Sequence, residues 1–322
     1  MLDGKVAIVT GSGRGLGLAY ALELARRGAS IVVNDVDAEA VADATARIRA
    51  VGGRTVAVVA PVGPTGTAQA LVAAAVESFG RLDIVVTNAG IIRDAVLWKM
   101  SDEDFDAVID VHLRGTFTTV REAVRHMRGA GHGGRIICIG SPTGQRGTFG
   151  QTNYAAAKAG IVGMVRTWAL ELQRAGITAN AVIPVAATAM TATVPYFAAA
   201  VRAWEAGEPV PAFFRRELGF GTADDVAGLI AFLASDAAGA VTGQVIGIGG
   251  DRLQIWTHPE AAVTAHREGG WTFEALVEAW PTTFAGALQS VGERFPELPE
   301  EFREPASPPD AAGPRIPDPL TK

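Results

Sequence analysis

The chain has 322 residues, is 48% hydrophobic and 19% charged, and carries 28 basic against 34 acidic side chains for a net charge of -6. That is enough apolar content for one large buried core, and the acidic balance gives no reason to expect a nucleic acid or an anionic membrane as partner. One cysteine, Cys138, excludes an intrachain disulfide, and the five histidines show no zinc-ligand spacing.

The opening MLDGKVAIVT has no basic segment ahead of a long apolar stretch. Neither a signal peptide nor a membrane-spanning helix is expected, and a cytoplasmic enzyme is the default. Seven short runs read as strands: KVAIVT, SIVVN, RTVAVVA, LDIVVT, RIICIG, ITANAVI and GQVIGI. Each is nearly continuously apolar, the pattern of a strand covered on both faces. Cys138 lies in the fifth and reads as a buried structural thiol. Helical spacing recurs between the runs, over 16–27, 38–50, 67–79, 102–127, 154–174 and 223–235. This alternation predicts an α/β fold, a doubly wound parallel sheet of Rossmann type in a single domain over 1–251.

Three regions depart from the rhythm. Residues 190–219 join the sixth strand to the next helix and hold Tyr196, Phe197, Trp204, Phe213 and Phe214. A long aromatic crossover at that place predicts a lid over a substrate pocket; the alternative is an irregular packing segment. Residues 252–295 read as a C-terminal extension of the same domain, with RLQIWTH as one more possible strand. Residues 296–322 form a proline-rich, acidic tail, expected to be flexible or bound extended along a neighbour.

The first strand runs into Thr10-Gly11-Ser12-Gly13-Arg14-Gly15-Leu16-Gly17 and then a helix. Glycines let backbone N–H groups approach a pyrophosphate, and the helix N-terminus favours its charge. The second strand ends in Asn34-Asp35. A carboxylate there accepts hydrogen bonds from adenosine ribose hydroxyls and repels a 2′-phosphate, which favours NAD over NADP. Arg14 pulls the other way, because a guanidinium in this loop can pair with that phosphate. Asn88-Ala89-Gly90 follows the fourth strand, where small residues keep the backbone close to the cofactor.

The fifth strand ends at Ser141, thirteen residues before Tyr154, and Lys158 follows in YAAAK. Four residues are about one helical turn, so Tyr154 and Lys158 share a face. Tyrosine alone is too weak a base at neutral pH, and a nearby ammonium favours its phenolate. Tyr154 then exchanges a proton with the substrate oxygen while Ser141 holds that oxygen in place.

With TGSGRGLG, NAG, Ser141 and YAAAK in this order, the chain resembles the short-chain dehydrogenase/reductase family over residues 1–251. The resemblance implies seven strands in the order 3-2-1-4-5-6-7 and a homotetramer or homodimer built on the helices 102–127 and 154–174. It also implies that Lys158 binds the nicotinamide ribose, and that Thr188, in the Pro184 region, touches the carboxamide end of the cofactor. Where the family often has an asparagine completing a proton relay, this chain has His112; its carbonyl can hold a relay water and its imidazole can shuttle protons, or it is a satisfied structural histidine. The family's frequent Pro-Gly after the sixth strand is Pro184-Val185. The stretches IIRDAVLWKMSDEDFDAVIDVHLRGTF and NAVIPVAATAM resemble hydroxyacyl-CoA and hydroxysteroid dehydrogenases. Arg93 and Arg114 within the first stretch either serve anionic groups or form local ion pairs.

The expectation is an oxidoreductase moving hydride between NAD and an apolar secondary alcohol or ketone, such as a cyclic alcohol, a steroid or a 3-hydroxyacyl compound. The alternatives are NADPH-dependent reduction of a 3-oxoacyl thioester and a non-catalytic nucleotide sensor, which typically lacks the tyrosine or lysine present here.

Overall fold

The computed structural model describes residues 1–187 and 195–303. Thr188, expected at the cofactor, lies outside the described residues, as do 190–194 of the expected lid and 304–322 of the tail.

Eight strands form one sheet: β1 (Val6–Thr10), β2 (Ser30–Asp35), β3 (Thr55–Val59), β4 (Ile84–Thr87), β5 (Gly134–Ile139), β6 (Ile177–Pro184), β7 (Val245–Gly249) and β8 (Arg252–Trp256). Their order is β3-β2-β1-β4-β5-β6-β7-β8. The first seven are parallel, in the expected order. The expected count of seven is corrected to eight, because RLQIW turns back at Gly250-Asp251 and pairs antiparallel with β7. Its pattern is alternating: Leu253 and Ile255 are exposed, while Arg252, Gln254 and Trp256 are half-buried. That is the signature of an edge strand with one covered face, unlike the fully buried β1.

Helices cover both faces. On one, α1 (Gly15–Arg26), α2 (Ala38–Ala50) and a helix at Ala223–Ala234 enclose Tyr20, Leu24, Ile31, Val33 and Ile230. On the other, α3 (Thr65–Phe79) and two longer helices enclose Ile8, Leu71, Met127, Ile136 and Ile161. Cys138 is buried in this second core, and burial pushes its thiol up to about 12, as expected of an inert structural cysteine.

The continuous helix expected over 102–127 is broken. It consists of α4 (Asp102–Val108), a π-helical turn at Ile109–Arg114, and α5 (Gly115–Ala130). The extra residue in that turn places His112 inward, at 2% exposure. After β5 come the short α6 (Thr143–Arg146) and the 21-residue α7 (Thr152–Leu172). Beyond β6 lie α8 (Ala198–Glu205) and α9 (Ala212–Glu217), then α10 (Ala223–Ala234). A third apolar cluster unites Ala187, Phe197, Phe214 and Phe220 at the carboxyl end of β6, with Leu298 and Phe302 from the C-terminal segment packed against it. Beyond β8, α11 (Phe273–Ala279) runs into a π-helical turn at Trp280–Phe284. Among the described residues, no helix is long and apolar enough to cross a membrane.

Candidate active site

The glycine loop bridges β1 and α1 at the carboxyl edge of the sheet, where ligands of open α/β folds bind. Gly11 and Gly15 have φ of 61° and 56°, in the left-handed region. Gly17 faces the carbonyl oxygen of Gly11 so closely that any Cβ would collide with it. Arg14 caps α1 without a side-chain hydrogen bond. The first-turn N–H groups therefore face outward from a loop with no side-chain bulk at its glycines, a cradle that fits a pyrophosphate. Thr10 and Asn88 brace it from the neighbouring strand: Thr10 Oγ1 accepts from Asn88 N (3.0 Å) and Ala89 N (3.2 Å), and Asn88 Nδ2 donates to the carbonyls of Thr10 (3.2 Å) and Gly11 (3.0 Å). Leu16 packs against the core below the loop.

At the end of β2, Asp35 Oδ2 accepts from Gly13 N at 3.2 Å and Oδ1 from Val36 N at 2.8 Å. Sequence reading passed over Asp37. It caps α2 through Glu39 N and Ala40 N, and its other carboxylate oxygen binds Arg14 at 2.9 Å. Backbone hydrogen bonds and the Arg14 guanidinium hold its carboxyl below the usual range. The guanidinium that argued for a 2′-phosphate is thus already paired with a carboxylate.

The chemical group lies two strands away. Ser141 follows β5, with Oγ accepting from Thr143 N at 3.2 Å. Tyr154 and Lys158 lie on the first turns of α7, and both are buried, as is Ser141. Lys158 Nζ donates to the Ile139 carbonyl at 2.6 Å and lies 5.6 Å from the Tyr154 ring centroid. Burial lowers Lys158 to about 8. Burial also raises Tyr154 above the usual tyrosine value, against the pull of Ser141 and together with the Asp94 charge. Burial outweighs the opposing pull of Ser141, so with no cofactor bound Tyr154 is a phenol. Pro184, the last residue of β6, pairs with Ile248 of β7 beside this group.

His112 meets Tyr154 edge to face, with centroids 5.1 Å apart. Its Nε2 lies 2.8 Å from the Ile91 carbonyl oxygen and 3.0 Å from Ile91 N. Burial first, then Lys158, lowers its pKa to about 3, so the ring is neutral. Gly90 lies against Cε1 of the ring, and a Cβ there would overlap it. Asn153 was also missed by sequence reading. It is fully buried, and its Nδ2 ties α7 to the carbonyls of Arg93 (2.9 Å) and Asp104 (3.2 Å). Its signal was an amide directly before the tyrosine in NYAAAK. Arg93 pairs loosely with Asp104 and Arg114 with Asp110, both on the surface.

A glycine cradle at one end of the sheet edge and a buried Ser-Tyr-Lys group at the other define a nicotinamide-dependent oxidoreductase. Residues 11–250 match the family model described as enoyl-(acyl carrier protein) reductase. The chain belongs to the short-chain dehydrogenase/reductase family of oxidoreductases. It is 43% identical to the hydroxyacyl-CoA dehydrogenase ChsB1 of Mycobacterium tuberculosis, across 88% of this chain and 90% of that protein. It is 40% identical to the 3-oxoacyl-[acyl-carrier-protein] reductase FabG of Thermotoga maritima, across 77% and 98%. A short-chain dehydrogenase of Mycobacterium avium superposes with a TM-score of 0.76 at 34% identity, covering 90% of this chain and 98% of that one.

Proposed function

We propose that this chain is an NAD-dependent dehydrogenase of 3-hydroxyacyl thioesters with apolar acyl groups. The carrying observation is the burial of Ser141, Tyr154 and Lys158 together at the carboxyl edge, with Lys158 Nζ 5.6 Å from the Tyr154 ring centroid. When bound, the nicotinamide accepts or donates the hydride. For oxidation Tyr154 would first release its own proton to solvent, a step favoured by the Lys158 charge and by the positive ring of the oxidised nicotinamide, and the phenolate Oη would then take the proton of the substrate hydroxyl; in reduction the phenol gives its proton to the carbonyl oxygen. Ser141 Oγ donates a hydrogen bond to the same oxygen and fixes its position. Lys158 anchors α7 on β5 and presents its charge beneath the phenol, within reach of the nicotinamide ribose. His112, held neutral, buttresses the tyrosine ring and positions it.

Gly11, Gly13, Arg14, Gly15, Leu16 and Gly17 form the pyrophosphate cradle, with Asn88, Ala89 and Gly90 behind it and Pro184 beside the nicotinamide. Two carboxylates at the end of β2 support NAD. Asp35 would repel a 2′-phosphate, and Asp37 neutralises the nearest guanidinium. The acyl thioester reading is supported by the relatives named for hydroxyacyl-CoA substrates. Residues 195–219 serve as the lid. The enzyme works in the cytoplasm as a homodimer or homotetramer, and Phe117 and Leu170, exposed on α5 and α7, supply apolar surface for that contact.

A second reading, NADPH-dependent reduction of a 3-oxoacyl thioester, draws support from the phenol form of Tyr154, the state that donates a proton. Initial rates with NAD and NADP in parallel, on hydroxyacyl thioesters, hydroxysteroids and cyclic alcohols, separate the readings. Turnover of a thioester with NAD is expected. Turnover with the phosphorylated cofactor alone would transfer the assignment to the reductase.

A further inference from the structure

The C-terminal segment meets the core at two places, the short helix that follows Ser141 and the aromatic cluster just past β6. At the first, Arg146, the last residue of α6 and five residues beyond Ser141, donates from Nε to the Gly292 carbonyl (2.8 Å) and from Nη2 to the Ser290 carbonyl (3.3 Å). Gly292 N returns a hydrogen bond to the Arg146 carbonyl at 2.7 Å. At the second, Phe295 stacks on Tyr196 with centroids 4.6 Å apart and meets Phe197 edge on at 5.5 Å. Tyr196 Oη donates to the Pro296 carbonyl at 2.7 Å. Phe302 then reaches Phe214, with centroids 5.1 Å apart.

These anchors flank one edge. Gly140, next to Ser141, donates to the Val182 carbonyl of β6, and the cluster holding Phe197 and Phe214 begins at Ala187, just past the end of β6. Arg215 fastens α9 from below, paired with Asp225 of α10 and with Asp251 in the β7–β8 turn. On the outer side, Tyr196, Phe197 and Phe214 meet the aromatic rings of the C-terminal segment.

We infer that residues 288–303 are a strap that forms the outer wall of the substrate mouth, tied at one end to the serine helix through Arg146 and at the other into the lid through Phe295 and Phe302, and that this strap sets which acyl groups the enzyme accepts. The inference rests on the reading of Ser141 and Tyr154 as the reacting centre. A small acyl group reacts at the triad without reaching the strap. A long or ring-bearing acyl group needs the apolar wall that Phe295 and Tyr196 complete, and binding against that wall replaces contact with water.

The test compares the wild type with Phe295→Ala and Arg146→Ala in the full chain, using 3-hydroxybutyryl-CoA and 3-hydroxyhexadecanoyl-CoA as probes. The ratio of kcat/KM for the long thioester over the short one is expected to fall roughly tenfold in each variant, through KM of the long one, as the loss of one aromatic contact implies. Hydrogen exchange over residues 195–219 is expected to quicken in both variants. A parallel loss on both thioesters would mean a merely structural role and overturn the inference. An unchanged ratio with unchanged exchange would overturn it as well. If the wild type turns over neither thioester, the thioester reading fails; exchange at 195–219 then decides the strap alone, faster exchange upholding it and unchanged exchange overturning it.

Discussion

Lys158 lies beneath the ring of Tyr154 but directs its 2.6 Å hydrogen bond to the carbonyl of Ile139, two residues before Ser141. One side chain thereby fixes the register between the strand that carries the serine and the helix that carries the tyrosine. The position has a cost, because the ammonium is fully buried and its pKa is lowered to about 8.

That cost gives a pH-dependent stability with a defined sign. Below about pH 8 the lysine is charged in both native and unfolded chains, and the whole penalty is present. Between there and the ordinary lysine value of 10.5 the unfolded chain binds the extra proton, so stability rises with pH. Relative to Lys158→Met, the wild type is expected to gain up to about 3 kcal/mol across this window, at about 1.4 kcal/mol per pH unit. Urea denaturation of both proteins at pH 7 and pH 10 measures the difference; a constant gap would mean the lysine is not buried as a cation.

His112 titrates outside the working range. With its pKa lowered to about 3 it stays neutral throughout pH 5–8, so it contributes no acid limb to the pH–rate profile there. His112→Asn is expected to change the height of the profile and leave its acid side in place. A limb that disappears in the variant would make the imidazole a titrating proton shuttle.

On the proposed NAD-dependent reading, cofactor choice rests on two carboxylates acting together. Asp35→Ala removes the group nearest the ribose, while Asp35→Ala with Asp37→Ala also releases Arg14. The single variant is expected to shift the NAD/NADP preference by about tenfold toward NADP, and the double variant further, since hydrogen bonds to charged groups are worth about 1.5–3 kcal/mol each. Parallel Kd measurements for the two cofactors check the order.

Gly17 tests the cradle. A Cβ at this position would overlap the Gly11 carbonyl oxygen, which is backbone and has little room to yield. Gly17→Ala is expected to weaken nicotinamide cofactor binding and to destabilise the fold by about 1–3 kcal/mol. A thermal melt with and without NAD reads both effects.

Much of the fold was legible because the physics is local. Seven apolar runs, all but the edge strand β3 largely buried, and the intervening helical spacing specify a parallel sheet, and the glycine loop, Ser141 and YAAAK keep their order in space. What was missed arises from tertiary contact. The π-helical turn at Ile109–Arg114 carries no composition signal, since Asp-Val-His-Leu is ordinary helical sequence, yet it turns His112 inward. The pairing of β8 depends on the Gly250 turn and the free edge of β7. Asp37 caps α2 locally, but its second oxygen reaches Arg14 through a tertiary contact that no local pattern announces. Phe295 and Phe302 stand isolated in proline-rich sequence, and their partners lie some hundred positions away. The burial of Tyr154, which raises its pKa, also comes from tertiary packing that the spacing of YAAAK does not encode.

The most direct test of the central claim is the steady-state oxidation of a 3-hydroxyacyl thioester by the wild type and by Tyr154→Phe, with NAD affinity measured on both. The account predicts that kcat falls about 10²–10⁴-fold in the variant, the usual scale of a positioned acid–base group, while the Kd for NAD stays nearly the same. A variant that turns over at the wild-type rate would contradict it.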